Sequence, residues 1–571
     1  QGIIHSGGRS LTFTRDAQGR ITRITDPAGK QLIYVYDAKG DLVSATDADA
    51  RTSTFTYNST HGLLDIVDPA NRRGIRNEYD ASGRLISITD ADGNIIHFDF
   101  NPNTRQQVVT DRKGNITVYE YDERGNTLSI TNADGKVSRA TYDVNGNRLT
   151  ETDQLGNTTT YTYDSRGNVL SRTDAQGRVT RYTYNDRNQV TSTTDANGNT
   201  VTNTFDAAGN LLTTKDALGN MITYTYNDSG KPLTRKDPEG RVTSYEYDEF
   251  DNLTKETDRR GNFTRYTYNA NGDRTTVTDA RGNTITFTYS DGGLLTSTID
   301  ALGHTSTNEY DTAGGTSAIV DTLGHRTTIT STVTGKPLQT TFADGTQFNL
   351  QYDANGEVSG SFATGGLAPA LERTKSGLPA RMTVASGITI SYQYDAKGRQ
   401  TSDSDERGNT TTYQYNLLDK VTLETDALGN QTRYTYDGVG NLTAETDAAG
   451  NTISHTYDKA NRLVRTTLPD GKFFENTYDS LDQVISRRDA AGNVTGFTYD
   501  AEGNLLTVTL PGGAVTTYEY DANGNMISST DALGHKTVFE YDKMNRLVKK
   551  TFPDTTTEVT LYNAGGFVTS S

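Results

Sequence analysis

Hydrophobic and polar positions alternate along this chain in short bursts that return with a fixed period. Tyr142-Asp143 is followed by Tyr163-Asp164, Tyr184-Asn185, Phe205-Asp206, Tyr226-Asn227 and Tyr247-Asp248, always 21 residues apart. From Tyr79 to Tyr562 the spacing never slips over 23 steps; stepping back adds Tyr57 across one inserted residue, then Tyr36 and a degenerate slot at Arg15. Of these 27 slots, 24 hold Tyr or Phe; the exceptions are Arg15, Ser331 and Arg373. Of the 33 tyrosines, 22 occupy the slot and 11, among them Tyr161, Tyr182 and Tyr224, stand two residues before it. Residues i and i+2 share a face only in an extended strand, so Tyr-x-Tyr set among Thr, Val and Ile predicts β-structure. Slot residues such as Tyr163, Tyr184, Phe205 and Tyr226 are expected to share one face with their i−2 partners and to be largely buried.

Two turns punctuate each period. Gly stands four residues after most slots, as in Gly125, Gly146 and Gly167, and where it is missing the substitutes are Asn188, Asp251, Asp419, Asn461, Asp482 and Asn545. These are the residue types that best tolerate positive φ after glycine, so the position is expected to require it. Thr104 is the one misfit, and the inserted residue is expected to move the first-turn glycine to Gly62. The second turn reads Asp-x-x-Gly-Asn, as at Asp216–Asn220; its Gly is present in 23 of 26 complete repeats, with Ala50, Asn71 and Thr555 the exceptions. Asp opens such a turn because its carboxylate accepts a backbone N–H two residues on. One unit is thus strand, turn, strand, turn, and an aliphatic residue (Val169, Leu211, Leu253) follows the first turn to neighbour the aromatic ladder across strands.

The predicted fold class is all-β: tandem 21-residue hairpins in one continuous array over residues 1–571, with a degenerate stretch at 331–390. In that stretch Phe342, Ala363 and Val384 replace the second-turn Asp, yet Gly335, Gly345, Gly356, Gly366, Gly377 and Gly387 keep the phase. It reads as diverged repeats still within the sheet. About 50 strands at ~4.8 Å each make a ribbon roughly 240 Å long and about 20 Å wide. Open sheets curl well before that size, so the ribbon is expected to wind into a spiral whose edges meet successive winds.

Composition sharpens this. Only 32% of residues are hydrophobic, mean hydropathy is −0.68 and net charge is −17, too polar for several thick cores, while 33 Tyr and 17 Phe exclude a disordered chain. A one-layer wall reconciles the two. The absence of Cys excludes disulfides, thiolate metal sites and a cysteine nucleophile. The acidic balance argues against a nucleic-acid partner, there is no apolar run long enough to span a membrane, and Gln1–His5 shows no secretory leader.

The pattern Tyr-Asp-x-x-Gly-Asn-Leu followed by Thr-Asp-x-x-Gly-Asn, best seen at residues 436–458, resembles the YD, or Rhs, repeat, and the resemblance covers essentially all of residues 10–571. That family includes bacterial Rhs polymorphic toxins, the C component of insecticidal Tc toxins, wall-associated proteins of Gram-positive bacteria and animal teneurins. The resemblance implies a spiralling β-shell which, in the toxins, encloses a C-terminal toxic domain. The shell-closing motif of the toxins, Asp-Pro-x-Gly-x-x-x-Gly-x-Asn-x-Tyr, is represented only by its first four residues, at Asp26–Gly29 and Asp237–Gly240. No self-cleaving residue is carried over, and the chain reads as a segment of a larger protein.

No residue is singled out as catalytic, cofactor-binding or metal-ligating. His304, His325 and His535 take the position after the second-turn Gly, where turn variation outweighs metal binding because equivalent positions stand about 9.6 Å apart. Asp-rich turns such as Asp90–Asn94 lack the calcium-loop patterns. There is no P-loop, Gly-x-Ser-x-Gly or His-Glu-x-x-His motif. The expected role is structural: a secreted or surface shell segment around a toxic cargo, partnered by the enclosed domain or other segments of the same polypeptide. The alternative is an extracellular stalk, adhesin or filament. A lumen about 30 Å across is what a folded domain of about 100 residues would need.

Overall fold

The computed structural model describes residues 2–5, 8–363, 370–384 and 387–570. Nearly all of them belong to one 54-stranded sheet in which each strand runs antiparallel to the next in sequence, followed by a small hairpin of Leu561–Tyr562 and Val568–Ser570. Strands of six residues ending on the slot alternate with strands of five, as in Thr158–Tyr163 and Val169–Thr173.

Most of the described turns are built alike. Asp143 N–H donates to the Asn147 carbonyl (2.9 Å) and Gly146 N–H to the Asp143 carbonyl (3.2 Å). Asp143 Oδ1 accepts the N–H groups of Asn145 and Asn147 (2.8 and 2.9 Å), and Oδ2 accepts the Asn147 side-chain amide (2.8 Å). Second turns repeat the arrangement: Asp216 caps the N–H groups of Leu218 and Asn220 and holds the Asn220 amide. This is a type I turn closed by one left-handed residue, which suits a three-residue hairpin loop. Asn188, Asp251, Asp419, Asn461, Asp482 and Asn545 have φ of 59–65°, as the register argument requires. Ala50, Asn71 and Thr555 do the same in second turns, with φ of 62°, 59° and 68°. The β-branched Thr555 is the most strained of these. Thr555→Gly is expected to stabilise the last repeat by about 1 kcal/mol, read as slower amide exchange over residues 547–559.

Two readings of irregular repeats are corrected. The left-handed residue after Tyr57 is His61 (φ 65°), in normal register, while Gly62 closes the turn through Asn58. The inserted residue lies further on, as a β-bulge at Gly74: Ile66 pairs with Ile75 and Val67 with Arg73. After Phe100 the left-handed residue is Arg105 (φ 53°) instead of Thr104, because the loop is one residue longer and Asn101 pairs directly with Gln106.

The aromatic ladder forms, but not as a core. Tyr224 and Tyr226 share a face with ring centroids 6.5 Å apart, and the slot tyrosines are half-buried, not largely buried as the pattern suggested. The only buried hydrophobic residues among those described are Ala318 and Leu423. A second layer would be needed to cover the rings, and the sheet has none. What fixes them instead is the phenol. Tyr163, Tyr184 and Tyr226 donate to the carbonyls of Arg148, Val169 and Leu211, each 15 residues back, at 2.7–2.8 Å. Each slot thus ties its repeat to the one before, beside a register shift such as that between Thr162 and Tyr163. On the opposite face, hydroxyl pairs such as Thr162–Ser171 and Thr225–Thr234 lie 2.6 Å apart. Where the aromatic is lost, Arg15 and Arg373 donate to the turn carbonyls of Gly19 and Gly377.

Half-burial sets the expected cost of truncation. Tyr226→Ala should destabilise the surrounding repeats by about 2 kcal/mol, below the range for fully buried aromatics, and Tyr226→Phe by about 1 kcal/mol through the lost hydrogen bond. Urea titration with local exchange protection reads both; equal losses for the two variants would mean that the ring contributes nothing.

Strands through 326–331, 337–341, 347–352, 358–363, 370–373 and 379–383 continue the ladder through the diverged stretch. Gly366, within the loose 360–370 segment, lies outside the described residues.

Candidate functional site

The ribbon closes on itself along a seam. First turns from Asp248 onward interlock with the second turns of the wind before. Each second turn meets a first turn 240–246 residues on, as where His5 meets Asp251, Asn355 meets Asp111, Asn197 meets Asp437 and Thr322 meets Ala564. Several reach the next one too, as Lys30 reaches Asp291 and Arg281 the Asp542 carbonyl. One wind therefore takes about 12 repeats, or about 24 strands. At ~4.8 Å per strand the circumference is about 115 Å and a round wall stands about 37 Å across between backbones. Side chains on the inner face take about 5 Å from each side, leaving a bore near 25 Å.

No backbone pairing joins adjacent winds among the described residues; the seam is made by side chains. Lys113 reaches Asp353 at 3.2 Å and Lys397 reaches Asp153 at 3.3 Å. The densest cluster surrounds Asp237, whose side chain is fully buried. Arg241 and Arg259 lie 3.1 and 3.4 Å from its carboxylate. Arg259 also contacts Glu502 of the next wind at 3.2 Å, and Arg260 contacts Asp500 at 3.1 Å. Burial alone would raise the Asp237 pKa; the Arg241 backbone N–H and the two guanidinium groups outweigh it and hold the carboxyl below its usual range. Close approach also demands small residues: a Cβ on Gly565 would stand 2.8 Å from Leu323 Cδ1, and one on Gly438 2.7 Å from Asn197 Oδ1.

The wall buries little of itself: its accessible surface is 31055 Å², against about 20,000 Å² for a compact globule of the same mass.

The histidines and Asp-Pro pairs singled out in the sequence sit in ordinary turns. Nδ1 of His304, His325 and His535 lies 3.0–3.2 Å from the Asp opening its own turn, replacing the usual Asn amide. Asp26 and Asp237 each open an ordinary second turn before their Pro. No cluster of three His, Asp or Glu suited to a metal occurs among the described residues. Sequence reasoning missed the seam residues altogether; the one local signal was the crowding of Arg at 259, 260 and 281 in turns that elsewhere carry Ala.

A single antiparallel sheet of 21-residue hairpins, wound edge on edge, defines a β-shell protein. The RHS repeat model matches at residues 100–137, then through overlapping matches over 142–200, 205–305, 394–472 and 478–557, more than half of the chain, and the Teneurin YD-shell model matches residues 1–110. The chain belongs to the RHS repeat family. A search of curated proteins finds no significant match. Among solved structures, the TcdB2-TccC3 crystal structure aligns with 97% of the chain at TM-score 0.62 and 13% identity, covering 39% of that chain. The Photorhabdus luminescens Tc holotoxin pore, with a TccC3 mutation, aligns with 97% at TM-score 0.61 and 12% identity, covering 40% of its chain. The likeness is one of fold, and the chain spans about two fifths of the length of these neighbours.

Proposed function

We propose that this chain is the wall of a container, a shell segment of an Rhs-type toxin that sequesters a toxic domain in a secreted or cell-surface polypeptide, with no catalytic step of its own. The observation that carries this reading is the one-layer spiral sealed along its seam. A stalk has no use for an open bore. The bore also limits the cargo. A folded domain of about 100 residues, with a radius of gyration near 13 Å, needs about 30 Å, so a bore near 25 Å takes a smaller domain or a chain held short of its native fold. A trypsin-sensitive segment of about 60 residues fused after Ser571 tests enclosure. A container predicts cleavage at least about tenfold slower than on an unrelated carrier, with added density in the bore; equal rates would refute it and favour the stalk.

A further inference from the structure

With no second layer on the sheet, the aromatic face has only its own side chains for company, and over residues 392–455 they form an unusual row. Tyr392 pairs across strands with Asp403, Tyr413 with Glu424 and Tyr434 with Glu445. His455 takes the tyrosine's place in the next repeat. Phenol and carboxylate thus alternate along three successive repeats; elsewhere this position holds an acid only singly, at Glu151 and Glu256. The three acids are half-buried, and they meet neutral donors. Gln400 Nε2 and the Tyr413 hydroxyl donate to Asp403 at 3.0 and 2.8 Å, and the Tyr434 hydroxyl to Glu424 at 3.4 Å. The cations of these repeats are engaged elsewhere: Lys397 and Arg399 pair with Asp153, Asp395 and Asp419, and Arg433 donates to Gln431. The uncompensated charge acts on the rings. Burial and the bond to Asp403 push the Tyr413 hydroxyl up to about 12, and burial with Glu424 and Glu445 raises Tyr434.

The two single acids show what such a pair accepts. Glu151 receives the Tyr161 hydroxyl at 3.3 Å, and Arg148 completes the set: its guanidinium stands 3.2 Å from the Glu151 carboxylate and 5.5 Å from the centre of the Tyr161 ring. At Tyr266, whose hydroxyl feels the charge of Glu256, the Arg274 guanidinium stands 5.7 Å from the ring. Arg148 and Arg274 both lie six residues after their slot tyrosines, and in the three open repeats that position is held by Gln400, Val421 and Leu442. The chain therefore fills the Tyr–carboxylate pair with a guanidinium where it has one to offer, and leaves three pairs in a row without. A planar guanidinium suits them because it stacks on the ring and bonds the carboxylate at once, which an ammonium does less well.

We propose that the aromatic face over residues 392–455 docks an arginine-rich polypeptide segment, each guanidinium taking the place against a Tyr–carboxylate pair that Arg148 takes within the chain. The complementarity is of charge and of shape: three carboxylates without a cation, each beside a ring that offers its face. It concerns this stretch of the sheet and holds whatever the bore contains.

Fluorescence anisotropy of a labelled peptide of about six arginines, titrated with the 571-residue chain at about 0.15 M salt, tests it. The expected result is saturable binding at least about threefold tighter than that of the lysine peptide of equal length. Asp403→Asn, Glu424→Gln and Glu445→Gln together should weaken it at least about tenfold. Glu123→Gln, Asp186→Asn and Glu558→Gln remove as much charge from exposed sites and should change it less than about twofold. Val421→Arg, which supplies a guanidinium from within as Arg148 does, should weaken it at least about threefold. Circular dichroism confirms that each variant is folded. Equal losses in the two triple variants would reduce the binding to general acidity and overturn the proposal. So would equal affinity for the two peptides, or the absence of saturable binding.

Discussion

Lowering the pH from 7 is expected to melt the array through its turns, with loss of β-structure beginning below about pH 4. In Asp143, Asp164 and Asp206 the bond from the following Asn amide, together with backbone N–H groups, holds the carboxyl below its usual range. In Asp500 burial pushes the other way and is outweighed by Asn504, two backbone N–H groups and Arg260. A carboxyl whose native pKa is depressed takes its proton more readily when unfolded. Its contribution is therefore complete above the unfolded value near 4 and is lost as the pH falls through the native one. Turns opened by Asn132, Asn185 and Asn227 make the same backbone bonds with an amide oxygen and do not titrate. Exchange measured along an acid series should thus open the Asp turns before these. Simultaneous opening of both kinds, or β-structure intact at pH 2, would show that the carboxylates do not carry the turns.

The second large effect is expected at the seam. Arg259→Ala leaves the buried Asp237 with one guanidinium and Glu502 with none. Breaking one partner from a buried ionic cluster costs about 3 kcal/mol, and the loss should appear in two distant places at once. Amide exchange should quicken at 237–262 and at 500–504, one wind apart, while repeats near 150 keep their protection, since repeat arrays open locally. Faster exchange in the first segment alone would mean that Arg259 steadies its own turn and does not join the winds. High salt should reduce the seam contribution less at this buried cluster than at exposed pairs such as Lys30–Asp291.

Period, strand alternation and turn conformation were legible in the sequence because each is fixed within 21 residues. Asn188 or Asp482 in a glycine register announces its own φ. The bulge at Gly74 was misplaced to Gly62 because both glycines fit a one-residue slip, and only cross-strand pairing separates them. The burial of Tyr163 was overstated because an amphipathic strand shows which face is apolar but not whether anything covers it. The seam was out of reach for a deeper reason. That Arg259 meets Glu502 depends on curvature accumulated over about 24 strands, and no single repeat encodes it.

The long pitch of the wall bears on how such a gene can change its length. Unequal crossing-over readily adds or removes whole copies of a tandem repeat, and each copy would fold in place because its neighbours are unaltered. A copy gained between residues 259 and 502 nevertheless moves every later first turn along by one second turn. Arg259 would then face a different residue from Glu502, and the other contacts bridging that point would be reassigned together. Copies gained before residue 259 leave this contact intact. Recombination is thereby tolerated at the level of the hairpin and penalised at the level of the closed wall. Selection on the wall would keep the copies individually recognisable, each bearing the side chains that its partners about 12 copies away require.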